Sequence, residues 1–188
     1  MKWIDILSWF GKANPAQEHI ALDSGYSIPT DAKVLYTQAF DKLESVNRGT
    51  NLIVSAASSL DYDVKEKVVE GVIPGTRQKT LSNLLNFKPN QYQSTQEFRT
   101  HIFTDYILEG NIFIYFDGAY MYHLPASKMV VVPDSKTFVS KYLYNNLTEF
   151  KPNEIIHIKD LSSTSVYRGS SRLMSADRSI NTLYRMQN

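Results

Sequence analysis

Residues Ser94 to Val132, STQEFRTHIFTDYILEGNIFIYFDGAYMYHLPASKMVVV, hold the longest apolar run of the chain together with its clearest start and stop signals. Ser94-Thr95-Gln96-Glu97 reads as a capping box, with the Ser94 hydroxyl accepting from an orphan amide and Glu97 reaching back to the cap amide. A helix therefore begins there. Phe98, Ile102, Tyr106 and Glu109 fall at helical spacing, Phe103, Ile107 and Leu108 widen the apolar face, and Gly110 supplies a left-handed stop. Asn111 to Phe116, rich in β-branched and aromatic residues, predicts a buried strand immediately afterwards. Asp117-Gly118 tolerates the positive φ that a type I′ turn needs at both central positions, which makes Ala119 to His123 the antiparallel partner. Pro125 has no N–H for a ladder and ends that strand; Met129 to Val132 forms a third, before Pro133-Asp134 turns the chain.

The flanks supply helices on one side and strands on the other. Trp3, Ile6, Leu7 and Phe10 share a helical face, and Gly11 to Pro29 mixes Asn, Pro, Ser and Gly, so residues 1–29 read as a short docking helix and an extended connector. Residues 30–188 then form one domain. Thr30 caps a stripe of Ala32, Leu35, Ala39, Leu43 and Val46 that continues through Ile53, Ala56, Ala57 and Leu60, predicting one long helix bent or broken near Gly49. Alternation at Tyr62, Val64 and Val68 predicts a strand over Asp61 to Val69, and Thr80 caps a short helix that Pro89-Asn90 stops. Phe138 to Tyr144 and Ile155 to Ile158 read as strands, Asn145-Asn146 as a turn, Ser162 to Ser171 as a loop, and Leu173, Ala176, Ile180 and Leu183 as the stripe of a last helix. Strands and helices do not alternate regularly, which predicts an α+β fold with a mixed or antiparallel sheet around the aromatic hairpin.

No convergent chemistry stands out. The formal charge of +1, from 20 basic and 19 acidic residues, gives no overall pull toward nucleic acid or an anionic membrane. The absence of cysteine excludes disulfides and thiolate–metal sites in this stretch and fits an intracellular origin. Asp61 and Asp63, two apart on a strand, would share a face as a metal or acid/base pair does, but they equally suit a charged edge. His101, His123 and His157 lack the spacing of a zinc site, and Gly169-Ser170-Ser171 lacks the second glycine of a nucleophile elbow. Neither a metal nor another cofactor is expected. Arg168, Arg172, Arg178 and Arg185 face a single acid, Asp177, over the last residues, and such a patch serves phosphate contact and salt bridges to a neighbouring protein equally.

Taken in order, LLNFKPNQYQSTQEF from Leu84, the buried helix, LEGNIFIYFDG from Leu108, EIIHIK from Glu154 and the helix start at Gly169-Ser170-Ser171 resemble the portal proteins of tailed bacteriophages. The resemblance covers about Thr30 to Asn188 and departs from the family at Arg172, where proline is usual. It implies the N-terminal wing of a portal subunit, truncated before the stem and clip, without catalysis and without a membrane span. It further implies a homo-oligomeric ring, usually dodecameric, at one capsid vertex of the virion, assembled in the host cytoplasm, through which double-stranded DNA is packaged and ejected. The implied partners are the major capsid protein, terminase and the head-completion or adaptor proteins. In that family the last helix leads toward the stem and channel, so the four arginines are expected to face a neighbouring subunit or DNA. Competing readings are another virion adaptor or tail component, and a small hydrolase using His157 or the Asp61/Asp63 pair.

Overall fold

The computed structural model describes residues 35–64 and 76–187. The expected docking helix and connector of residues 1–29 lie outside them, as do residues 65–69 of the expected strand at Asp61 to Val69.

Helix α1 spans Tyr36–Lys42, α2 Glu44–Ser58, α3 Thr76–Asn86 and α4 Thr95–Glu109. Strands β1 (Asn111–Phe116), β2 (Met121–Leu124), β3 (Met129–Asp134), β4 (Phe138–Tyr144), β5 (Thr148–Phe150) and β6 (Ile155–Lys159) follow, with a 3-10 turn at Ala126–Lys128. A second 3-10 turn, Arg172–Ala176, leads into α5, Asp177–Gln187. All described pairings are antiparallel and form two three-stranded sheets, ordered β2-β1-β6 and β3-β4-β5. The fold is α+β, as the irregular order of elements predicts.

Strand β1 is central because both of its faces are covered. Ile112 and Ile114 pack with Phe98 and Ile102 of α4 and Leu84 of α3, while Phe113 meets Met129, Val131 and Tyr142 of the other sheet. The result is three layers: helices, first sheet, second sheet. That explains why its sequence reads as a continuous apolar run rather than an alternation. A third, smaller core joins Ala39, Leu43 and Val46 to Ile180 of α5.

Helix α4 begins and ends where its caps put it. The Ser94 hydroxyl accepts from the Glu97 N–H at 3.1 Å, and Gly110 closes the helix at φ 68°. The hairpin differs from expectation. Phe116 pairs with Met121, so the loop is residues 117–120, and of Asp117 and Gly118 only the glycine has positive φ. The Asp117 carboxylate accepts from the N–H groups of Ala119 and Tyr120, an Asx-type closure that a two-residue type I′ reading omits. The adjacent pair with positive φ is instead Asn145 and Asn146, after β4. Pro133 does not end β3; the strand passes through it with a shift of register between Val132 and Pro133.

The upstream helix breaks at Leu43, not at Gly49. Leu43 is extended, φ −96° and ψ 111°, and its buried side chain sits in the third core, so packing against α5 sets the bend. Asn47 donates to the Phe40 carbonyl that the break leaves open. Residues Asp61–Val64 form no strand: the N–H and C=O of Tyr62 are both held by the Asn86 side chain, at 2.9 and 2.8 Å. Thr80 lies inside α3 rather than at its cap.

Candidate functional site

The residues that suggested chemistry are dispersed. Asp61 and Asp63 lie in exposed coil, and among the described residues no group of three histidine or carboxylate side chains could hold a metal ion. His123 contacts Asp105 at 2.8 Å, and the same carboxylate oxygen accepts from the Ala126 N–H, so this pair fixes α4 to the hairpin. Ser170 donates to Ser162 at 2.8 Å, and Ser171 caps the turn that begins at Arg172. Their hydroxyls serve the loop.

His157 is more informative. Its ring stacks on Phe113 at 4.1 Å, and its Nε2 lies 3.1 Å from the Asn111 Oδ1. That oxygen also accepts from the Gly169 N–H, so Nε2 carries a proton, with Tyr142 near Nδ1 at 3.4 Å. Burial, helped by the positive charges of Arg168 and Lys159, pushes the His157 pKa down to about 4 from an ordinary value of 6.5. The unfolded chain therefore takes up this proton first as pH falls. The stability that a neutral His157 contributes is present above about 6.5 and is lost down to about 4. Between about pH 7 and pH 5 the loss should be about 1–2 kcal/mol after allowance for partial exposure. Comparing urea unfolding of the protein with that of His157→Gln at both values checks this: the variant should lack that part of the slope.

The family-like motifs meet at this point. Asn111, which is 0% exposed, donates from Nδ2 to the carbonyls of Glu109 and Gly169 and accepts at Oδ1 from Gly169 and His157. Gly110 and Gly169 touch backbone to backbone. A Cβ on Gly110 would stand 2.1 Å from the Ser170 oxygen, and one on Gly169 would stand 2.1 Å from the Gly110 oxygen. In the same way Asn90 is held by four hydrogen bonds, two to Gln93 and one each to Tyr92 and Met121. These motif asparagines and glycines hold the architecture.

The four C-terminal arginines do not form one patch. Arg168 turns inward, donating to the carbonyls of Ala126 and Met129 and lying over the Phe113 ring. Burial lowers its pKa, and nearby Glu109 and Asp105 oppose that; burial likewise raises the Glu109 carboxyl, with Arg168 pulling the other way. Arg172 pairs with Asp160 and lies over Tyr106. Arg178 and Arg185 alone of the four are exposed without an ion pair to a described residue. Sequence reading also missed Arg99, which is buried among backbone carbonyls, although an arginine between Phe98 and Ile102 on an apolar face is a visible signal.

What remains open is apolar surface, on α2, on β6 at Ile156 and Ile158, and on α5 at Leu183 and Met186. Such an inventory suits a subunit that is completed by contacts.

Comparison with known proteins agrees. A family profile described as phage portal protein matches residues 44–188. The portal protein of Escherichia phage T5 is 35% identical over 188 residues, covering 96% of this chain and 47% of that protein. The neck of an empty gene transfer agent particle, computed with C6 symmetry, superposes at TM-score 0.65 and 20% identity, over 89% of this chain and 49% of that one. A native particle's neck, computed with C12 symmetry, gives 0.63 at 20% identity, over 93% and 49%. An HK97-family phage portal protein from Corynebacterium diphtheriae gives 0.54 at 13%, over 83% and 47%. The chain thus spans about half the length of the relatives it matches. With the profile running unbroken from Glu44 through the layered core to the last helix, the chain belongs to the phage portal protein family.

Proposed function

We propose that this chain is the wing of a structural portal subunit that assembles into a ring, of twelve copies, at one vertex of a phage capsid. The match to the portal family over residues 44–188 carries the reading, and the likeness of fold to a neck computed with C12 symmetry supports the ring. In that role the ring is the conduit through which double-stranded DNA is packaged and ejected. Terminase docks on it during packaging, head-completion proteins dock afterwards, and the major capsid protein surrounds it. The wing contributes a stiff block to this assembly rather than chemistry, because its buried polar groups are spent on holding its own layers together. The guanidinium groups of Arg178 and Arg185 have no ion pair to a described residue, and their place is against a neighbouring subunit or DNA.

Labelling the protein in intact virions tests this. A gold-tagged antibody should decorate one vertex per particle, and its removal from the genome should yield heads without DNA. Label along the tail, with filled heads in its absence, would replace the portal by a tail component.

A further inference from the structure

Given the ring reading above, we propose that adjacent copies meet head to tail, with the outer surface of α2 on one copy receiving the outer face of α5 on the next. On α2 the side chains of Val46, Thr50, Val54 and Ser58 face inward at steps of four. Leu52 lies opposite that row and is 76% exposed, and Ile53 beside it and Leu60 just past the helix are exposed as well. Large apolar side chains left uncovered close together mark a contact surface more often than singly scattered ones do. Asp61 follows this surface, exposed and in no ion pair with a described residue.

The last helix carries the matching surface. Ile180 and Tyr184 pack against α1, which leaves Leu183 and Met186 outward, the latter 77% exposed. Arg178 and Arg185, seven residues apart and so on one line of the helix, are exposed too, round the helix from Leu183 and next to the line of Met186. The apolar surface on α2 thus ends at a carboxylate, and that on α5 is bordered by two guanidinium groups, all three without an ion pair to a described residue. Opposite charges at the rims of two apolar faces set register and orientation when the faces meet.

A single chain does not bring the two surfaces together. Helix α5 runs beside α1, with Tyr36 bonded to Asp177 at 3.1 Å and Lys42 over the Tyr184 ring at 5.0 Å. Its Arg185 end therefore lies near the start of α2, and Asp61 lies beyond the other end. The fifteen residues of α2, at 1.5 Å each, separate them by about 20 Å. Two different patches at opposite ends of one helix are what a heterologous, ring-closing contact uses, whereas a two-fold dimer needs one self-complementary patch.

The absence of cysteine from this stretch gives a direct test. In the full-length protein, Asp61→Cys combined with Arg185→Cys should give, under mild oxidation, a ladder of covalent oligomers that reducing agent collapses. As a second measure, Asp61→Arg should lower ring yield several-fold, and adding Arg178→Asp with Arg185→Asp should restore most of it. Rings that form normally without the ladder, or an Asp61→Arg defect that the reversed arginines do not repair, overturn this contact and leave the portal reading standing. A wild-type full-length protein that remains monomeric overturns both.

Discussion

Asn111→Leu is expected to cost about 4 kcal/mol or more, most of the stability of a domain of this kind, although the new side chain is apolar and similar in size. The side chain of Asn111 is inaccessible to water and satisfies four groups, the carbonyls of Glu109 and Gly169, the Gly169 N–H and the ring N–H of His157. Leucine offers none of these bonds. Each buried group left without a partner costs about 1–3 kcal/mol, and the site collapses poorly because Gly110 and Gly169 already touch. The loss should appear as a lower urea midpoint with an unchanged m-value. A loss under about 1 kcal/mol would mean that water enters and replaces the amide, against the packing around it.

Legibility in the sequence follows the range of the interactions. Helix α4 and strands β1, β4 and β6 are predicted within a residue, because Ser94, Gly110 and the β-branched and aromatic runs act locally. The break at Leu43 is not local. It depends on Ile180, far along the chain, and Gly49 is the stronger breaker by propensity alone, yet it remains helical. The failed strand at Asp61–Val64 has the same cause: Asn86 supplies the bonds to Tyr62 that a neighbouring strand would have made. Division into two sheets is likewise invisible to alternation, since β1 covers its two faces with different partners.

The site was legible as composition and not as arrangement. Four arginines in a short stretch read as one patch, but Arg168 points into the interior and Arg172 is paired with Asp160. Only the helical phase of α5 leaves Arg178 and Arg185 outside. The stripe on that helix also shifts: Tyr184 takes the inward position expected of Leu183, because Lys42 and Tyr36 of α1 lie along its side. The family-like motifs, by contrast, are recognisable from sequence because they are structural. Asn111, His157 and Gly169 come from three of them, and the latter two both bond to Asn111, so their order along the chain records a single contact in space.

Arg99→Met should destabilise the protein by about 4 kcal/mol, and Arg99→Lys should recover only part of that loss. Arg99 is 5% exposed and has no carboxylate beside it among the described residues. Its guanidinium instead donates twice to the Leu85 carbonyl, at 3.1 and 2.8 Å, to Ser58 at 3.2 Å, to Leu60 at 2.7 Å and to the Asn86 side chain at 2.7 Å. Ser58 is the last residue of α2 and Leu85 the last but one of α3, so these carbonyls are helix-end groups with no partner inside their own helices. Two helix C-termini, each carrying partial negative charge, converge on one cation, which explains how a buried guanidinium is stable without an acid. The planar fork reaches several acceptors in different directions, while a lysine ammonium has three donors at one point. Methionine fills the space and leaves the carbonyls bare. Because Asn86 also holds Tyr62, hydrogen exchange at the Tyr62 amide should accelerate in both variants before global unfolding does. By comparison Arg178→Ala, at an exposed position, should change the stability of the isolated chain by less than about 0.5 kcal/mol. Equal effects at the two positions would mean that the helix ends are satisfied by water and that Arg99 holds nothing together.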